Sequence, residues 1–135
     1  MASKTYALEW MQKALYDLEG ARLLYVSNHY TDTVGYILHQ SLEKVLKSMS
    51  AYQNRPIRKT HNLVELYELL EERIDLNEDE VFLLSIATTY QTKQRYPVTQ
   101  KKLPSREEIK EVLDFADKLF EDVLKKLDLD IGDIQ

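Results

Sequence analysis

Apolar residues recur at three- and four-residue intervals along most of the chain, which is the spacing of one face of a helix. The first such stretch runs from about Lys4 to Asn28, with Leu8, Met11, Leu15, Leu18, Ala21 and Leu24/Tyr25 in its stripe. Trp10, Ala14 and Asp17 fall on neighbouring faces, and Asn28-His29-Tyr30 reads as a break. A second helix opens at Thr31 or Asp32, both good N-caps. It carries Val34, Ile37/Leu38, Leu42, Val45/Leu46 and Met49, and ends near Tyr52. Asn54-Arg55-Pro56 is a turn, because the residue before a proline is pushed out of the helical region. A third helix is expected from about Thr60 to Arg73-Ile74, using Leu63/Val64, Leu66/Tyr67 and Leu69/Leu70.

Asn77 followed by Glu78-Asp79-Glu80 gives a cap and an acidic first turn, which suit the positive end of a helix dipole. The fourth helix then uses Val81, Leu84, Ser85, Thr88 and Gln91, and stops before Pro97. Ser105 with Glu108 three residues on is a capping box. The fifth helix carries Ile109, Val112/Leu113, Ala116, Leu119/Phe120, Val123/Leu124 and Leu127. The tail from Asp128 is expected to fray. The pattern predicts an all-α fold, an up-and-down antiparallel bundle of about five helices in a single domain spanning residues 1–135.

Composition agrees with long helices and short links. The 135 residues include only three glycines and three prolines. The absence of cysteine removes disulfides and thiolate metal sites. No signal-peptide-type stretch and no run near ~20 apolar residues is present, so a cytoplasmic protein without a membrane association is expected.

Charge changes the picture more. The net charge of −5 argues by itself against a nucleic-acid binder. Its distribution argues the other way. No acid lies between Lys44 and Val64, where Lys44, Lys47, Arg55, Arg58 and Lys59 stand. None lies between Val81 and Arg106, where Lys93, Arg95, Lys101, Lys102 and Arg106 stand. In a strictly alternating bundle the connections 53–60 and 95–104 would meet at one end, beside the N-termini of the third and fifth helices. Such an end would attract an anion.

Several residues have two readings. His61 can serve as an acid/base or phosphate ligand, or as a capping or packing histidine. Lys44 can meet a phosphate or an acid on a neighbouring helix, whereas Lys47 reads as a cation near a helix C-terminus. Arg95 and Tyr96 can bind a phosphate and stack on a base, or close the fourth helix. His39 and Gln40 read as buried hydrogen-bonding or interface residues, Trp10 as core or interface, and His29 as a solvated loop residue. The histidine spacing matches no metal-site signature, and no metal or cofactor is expected.

Four segments together resemble the HEPN family. They are Trp10-Met11-x-x-Ala14-x-x-Asp17-Leu18-x-x-Ala21, His39-Gln40-Ser41-Leu42-Glu43-Lys44-x-Leu46-Lys47, Thr60-His61-Asn62-Leu63-x-x-Leu66, and Arg95-Tyr96-Pro97. The resemblance spans about residues 6 to 125. It implies a small helical bundle, commonly a homodimer, that binds a nucleotide or single-stranded RNA. It also implies pairing with a minimal nucleotidyltransferase, in two-component or toxin–antitoxin systems. Many family members are metal-independent ribonucleases with an Arg, four to six residues, and a His. Arg55 and His61, with five residues between them, meet that spacing. Arg95 does not, because no histidine follows it. The basic stretches and the resemblance together point to Lys44, Arg58, Lys59, His61, Arg95 and Tyr96 as ligand contacts. The resemblance implies His61 with Arg55 as the catalytic pair of a ribonuclease toxin. A non-catalytic protein-interaction scaffold, built on a tyrosine-rich surface, is the third reading.

Overall fold

A computed structural model describes residues 3–95, 103–130 and 132. Among them are five helices and no strand: α1 Ser3–Val26, α2 Thr31–Tyr52, α3 Leu63–Glu68, α4 Glu78–Arg95 and α5 Arg106–Lys126. All five expected helices are present.

Three of the turns explain how the chain manages with so little glycine. Asn28, Asn54 and Asp128 have φ of 60°, 55° and 53°. Short polar side chains tolerate this left-handed region best after glycine. Each closes a helix through a pair of main-chain bonds: His29 to Leu24 with Asn28 to Tyr25, Arg55 to Ser50 with Asn54 to Ala51, and Leu129 to Leu124 with Asp128 to Lys125. This is the Schellman arrangement, which satisfies carbonyls that the helix leaves open. Of the tail expected to fray from Asp128, residues 131 and 133–135 lie outside the described residues. Leu129 is tied back to α5 and buried in the core.

The third helix is shorter than its pattern predicts. Asn62 accepts from the Glu65 amide and sets the start. The end comes early because side chains take over the main-chain groups beyond Glu68. Gln53 accepts from the Glu71 amide and donates to the Glu72 carbonyl. The Tyr67 hydroxyl donates to the Ile74 carbonyl and accepts from the Leu76 amide. A backbone whose groups are satisfied this way has no drive to continue as helix.

That shortening settles which connections meet. A helix of 22 residues such as α2 is about 33 Å long. Thr31, at its start, donates to the Pro104 carbonyl. Arg106 donates to the Tyr25 carbonyl and stacks 4.1 Å above the Tyr25 ring. The start of α5 therefore sits beside the α1–α2 turn. Gln53, at the other end of α2, holds the segment after α3. The four long helices alternate in direction, and α3 lies within the α2–α4 connection without crossing the bundle. The segment after α2 and the approach to α5 at Pro104 thus lie at opposite ends of α2, not at one shared end, and residues 96–102 of the second basic stretch lie outside the described residues.

The centre of the molecule is α2, which packs on α1, α3, α4 and α5. Ala7, Ala14 and Ala21 on α1 are fully buried and keep that helix close. The closeness lets Ser41 donate to the Ala14 carbonyl at 2.8 Å. Gly35 faces the Tyr90 ring, and a Cβ there would fall 2.9 Å from ring carbons. Leu38, Leu42 and Met49 of α2 complete the core with Leu84 of α4 and Ile109 and Phe120 of α5. Among the described residues no helix is long and apolar enough to cross a membrane.

Candidate functional site

Residues four apart on a helix share a face. His39, Glu43 and Lys47 are such a series on α2, and all three are buried. Burying charge without partners is costly, so the partners matter. The 53–62 connection supplies them. Leaving the far end of α2 at Asn54, it turns back along the helix until His61 lies beside Glu43. There the His61 main chain and side chain are both held. The His61 carbonyl accepts from His39 Nε2 at 2.8 Å, and His61 Nδ1 donates to Glu43 Oε1 at 3.0 Å. Leu63 then donates to Thr88 Oγ1 at 3.1 Å and ties the same segment to α4.

The other Glu43 oxygen, Oε2, accepts from Lys47 at 2.6 Å. Lys47 in turn lies 5.9 Å from the centre of the Trp10 ring on α1, within reach of a cation–π attraction. Burial works against ionising Glu43, but the bonds from Lys47 and His61 outweigh it and hold its carboxyl below the usual range. Burial pushes the His39 imidazole below its usual value, so it is neutral near pH 7. Its Nε2 bears the proton donated to His61. Its bare Nδ1 takes the Gln40 amide at 3.5 Å and faces Glu43 Oε1 at 3.8 Å.

The result is a buried carboxylate, neutralised by Lys47, that presents a half-exposed imidazole to solvent. The His61 side chain is 53% exposed. Nδ1 is occupied, and Nε2 is left for a ligand. Such a group can accept a hydroxyl proton when neutral and donate to an anion when charged.

The sequence-predicted site residues are not all gathered here. Arg58 and Lys59 are exposed on the returning segment just before His61, and neither forms an ion pair among the described residues. Lys44 is on the adjacent α2 face and is paired with Asp17 of α1. Arg55 is bonded to Ser50 through its main chain and to Glu71 through its guanidinium. Ser50 is seven residues beyond Glu43, about 10 Å along the helix axis. Arg55 and His61 thus have separate partners at separate heights. Arg95 ends α4, but its side chain, like all of Tyr96, lies outside the described residues. Among the described residues no three His, Asp or Glu side chains converge as a metal site.

Sequence reasoning did not assign Glu43 a role and read Lys47 as a helix-terminus cation. The signal for both was the four-residue spacing of His39, Glu43 and Lys47 on a helix whose other faces are also filled. A helix buried on nearly all sides leaves such residues no route to water.

The HEPN domain profile matches residues 7–127. The chain belongs to the HEPN family. Two solved structures resemble this HEPN fold. TT1696 from Thermus thermophilus superposes with a TM-score of 0.73 at 23% identity, covering 89% of this chain and 97% of that one. ST0689, an archaeal HEPN homologue, superposes with a TM-score of 0.68 at 18% identity, covering 90% and 97%. At these identities the likeness carries the fold. No curated protein matches the chain.

Proposed function

We propose that this HEPN domain is a nucleotide- or RNA-binding module that takes phosphate on the returning segment, at Arg58, Lys59 and His61. The observation that carries the reading is the imidazole of His61, fixed by a buried carboxylate and turned to solvent beside two exposed cations. Membership of the HEPN family supports a nucleotide- or RNA-related role. A groove of about 420 Å³ on α1, lined by Tyr6, Glu9, Trp10, Gln12 and Lys13, offers aromatic faces to a base. In the finer form of the proposal the domain is a cytoplasmic homodimer and the partner of a minimal nucleotidyltransferase. Arg95 and Tyr96 join the ligand contacts in that form, and Lys44 does so on release from Asp17.

A second reading, a metal-independent ribonuclease, is favoured by one specific observation. The Glu43–His61 pair orients an imidazole as a carboxylate does in hydrolytic enzymes, with one nitrogen anchored and the other free for a proton. Arg55 would have to leave Glu71 to serve beside it.

Thermal unfolding with a nucleotide panel and a short single-stranded RNA, in the presence of a chelator, tests both. A ligand at a hundredfold excess over its Kd stabilises by about 2.7 kcal/mol, on the order of 10 °C for a domain of this size. A rise with RNA recovered intact supports the binding module, and Arg58→Ala with Lys59→Ala should diminish it. Cleaved RNA, with cleavage lost in His61→Ala, selects the nuclease. No rise with any ligand and intact RNA rejects both in favour of the interaction scaffold.

A further inference from the structure

The geometry around His61 fixes its proton inventory. Nδ1 lies 3.0 Å from Glu43 Oε1, and Glu43 already receives Lys47 on its other oxygen. An ionised carboxylate only accepts. A bare Nδ1 would set lone pair against lone pair, so Nδ1 carries a proton. Neutral His61 then offers Nε2 to solvent as an acceptor. A phosphodiester oxygen is an acceptor too, and the two cannot bond without a further proton.

We infer that phosphate binding at His61 is coupled to uptake of a proton, and that Glu43 is the positioning residue that imposes the coupling. Its carboxylate forbids the Nε2–H tautomer through which a neutral His61 could donate to phosphate. The inference rests on the phosphate-binding reading above and adds how that site discriminates. A hydroxyl, which can donate, meets the neutral imidazole; a phosphate meets the cation.

The charges that face His61 fit this role. From α2 come Glu43, offset by Lys47, and His39, which is neutral and spends its proton on the His61 carbonyl. Lys44 is engaged by Asp17 of α1. From α4 comes Thr88, which is uncharged. The returning segment itself brings Arg58 and Lys59, exposed and unpaired among the described residues. The buried layer is close to neutral, and the exposed layer is cationic. A phosphate drawn to those two cations still needs a donor at Nε2 of His61. Phosphate and proton therefore assist one another, a reciprocal linkage.

Isothermal titration with a single-stranded RNA hexamer bearing hydroxyls at both ends provides the test. All its phosphates are diesters, so the ligand takes up no proton near neutrality. Binding is measured in buffers of different ionisation enthalpy at several values between about pH 6 and 9, the range in which imidazole titrates. The slope of observed heat against buffer enthalpy counts protons. The wild-type protein should take up a proton on binding, and His61→Gln should lose that uptake. Glu43→Gln should reduce it, because a neutral amide can accept or donate and so frees the second tautomer. Should Glu43→Gln fail to fold, His61→Gln still decides, since that side chain is half-exposed. Tight binding without proton uptake would overturn the coupling and leave the phosphate site standing. Uptake undiminished in His61→Gln would remove His61 from it. An absence of binding to the hexamer would overturn the phosphate reading itself, and the coupling with it.

Discussion

The two helices α2 and α5 are built on opposite plans. In α5 every buried position is apolar: Ile109, Val112, Leu113, Phe115, Ala116, Leu119, Phe120, Val123 and Leu124. Its other face is charged, with Lys110 bonded to Asp114 and Lys118 to both Glu80 and Asp122. In α2 burial runs nearly all round, and it takes in His39, Ser41, Glu43, Lys47 and Ser48. The first plan is the ordinary solution for a helix that covers a core. The second puts ionisable groups where leucine would serve stability as well. An ion pair in such a position is weak grounds for stability and better grounds for a role. The difference separates the apolar face that holds this bundle together from the polar stack that anchors His61.

The largest effect should come from the plain helix. Phe120 is almost fully buried, and Phe120→Ala should cost about 3–5 kcal/mol, read by chemical denaturation. Next should come Glu43→Ala, at about 3 kcal/mol, because it strands Lys47 as a buried cation. The sharper form of that experiment replaces both partners. Glu43→Leu with Lys47→Met should recover most of the loss while leaving His61 without its anchor. A double variant as unstable as Glu43→Ala would mean the polar stack is there for stability, and the contrast between the helices would collapse.

Acid should weaken the fold through α2. Burial keeps His39 neutral in the folded protein, so the unfolded chain binds a proton that the folded chain refuses. Stability should therefore fall as pH drops below the ordinary imidazole value of about 6.5. Glu43 adds a second loss at lower pH. Its carboxyl is held below the usual range, so its contribution is complete above about 4.3 and disappears as pH falls through the folded value. Melting temperatures across this range should show a shallower decline between neutrality and pH ~5 for His39→Gln than for wild type. Equal declines would take His39 out of the acid response. The smallest effect belongs to α5 again. Ser105 accepts from the Glu108 amide at 3.0 Å, and Ser105→Ala should cost about 1 kcal/mol.

How much of this was legible follows the same division. The existence of five helices and the N-cap at Ser105 were readable, because apolar spacing and cap chemistry are local, although the Glu108 carboxylate bonds Tyr90 and does not close the capping box. The extent of α3 was not. Its apolar pairs continue to Leu70, but Gln53 and Tyr67 claim the backbone beyond Glu68 through contacts that no local pattern encodes. That one error moved the basic connections, since a full-length third helix would have brought 53–60 and 95–104 to one end. His61 was readable as a candidate from its type and its basic neighbours. Its partner was not, because Glu43 meets it only after the chain has doubled back along α2. The spacing of His39, Glu43 and Lys47 marked a face, and only the burial of that face shows that it pairs internally and anchors His61.

The central claim is that Glu43 dictates which nitrogen of His61 carries the proton, and 15N NMR of the imidazoles measures this directly. The spectra are recorded without ligand about two units above the ordinary imidazole pKa. The two histidines of the site should show opposite tautomers: His61 protonated at Nδ1 with Nε2 bare, and His39 protonated at Nε2 with Nδ1 bare. In Glu43→Gln, His61 should become a mixture while His39 keeps its proton on Nε2. A wild-type His61 protonated mainly at Nε2 would contradict the account, because Glu43 would then not be holding the ring.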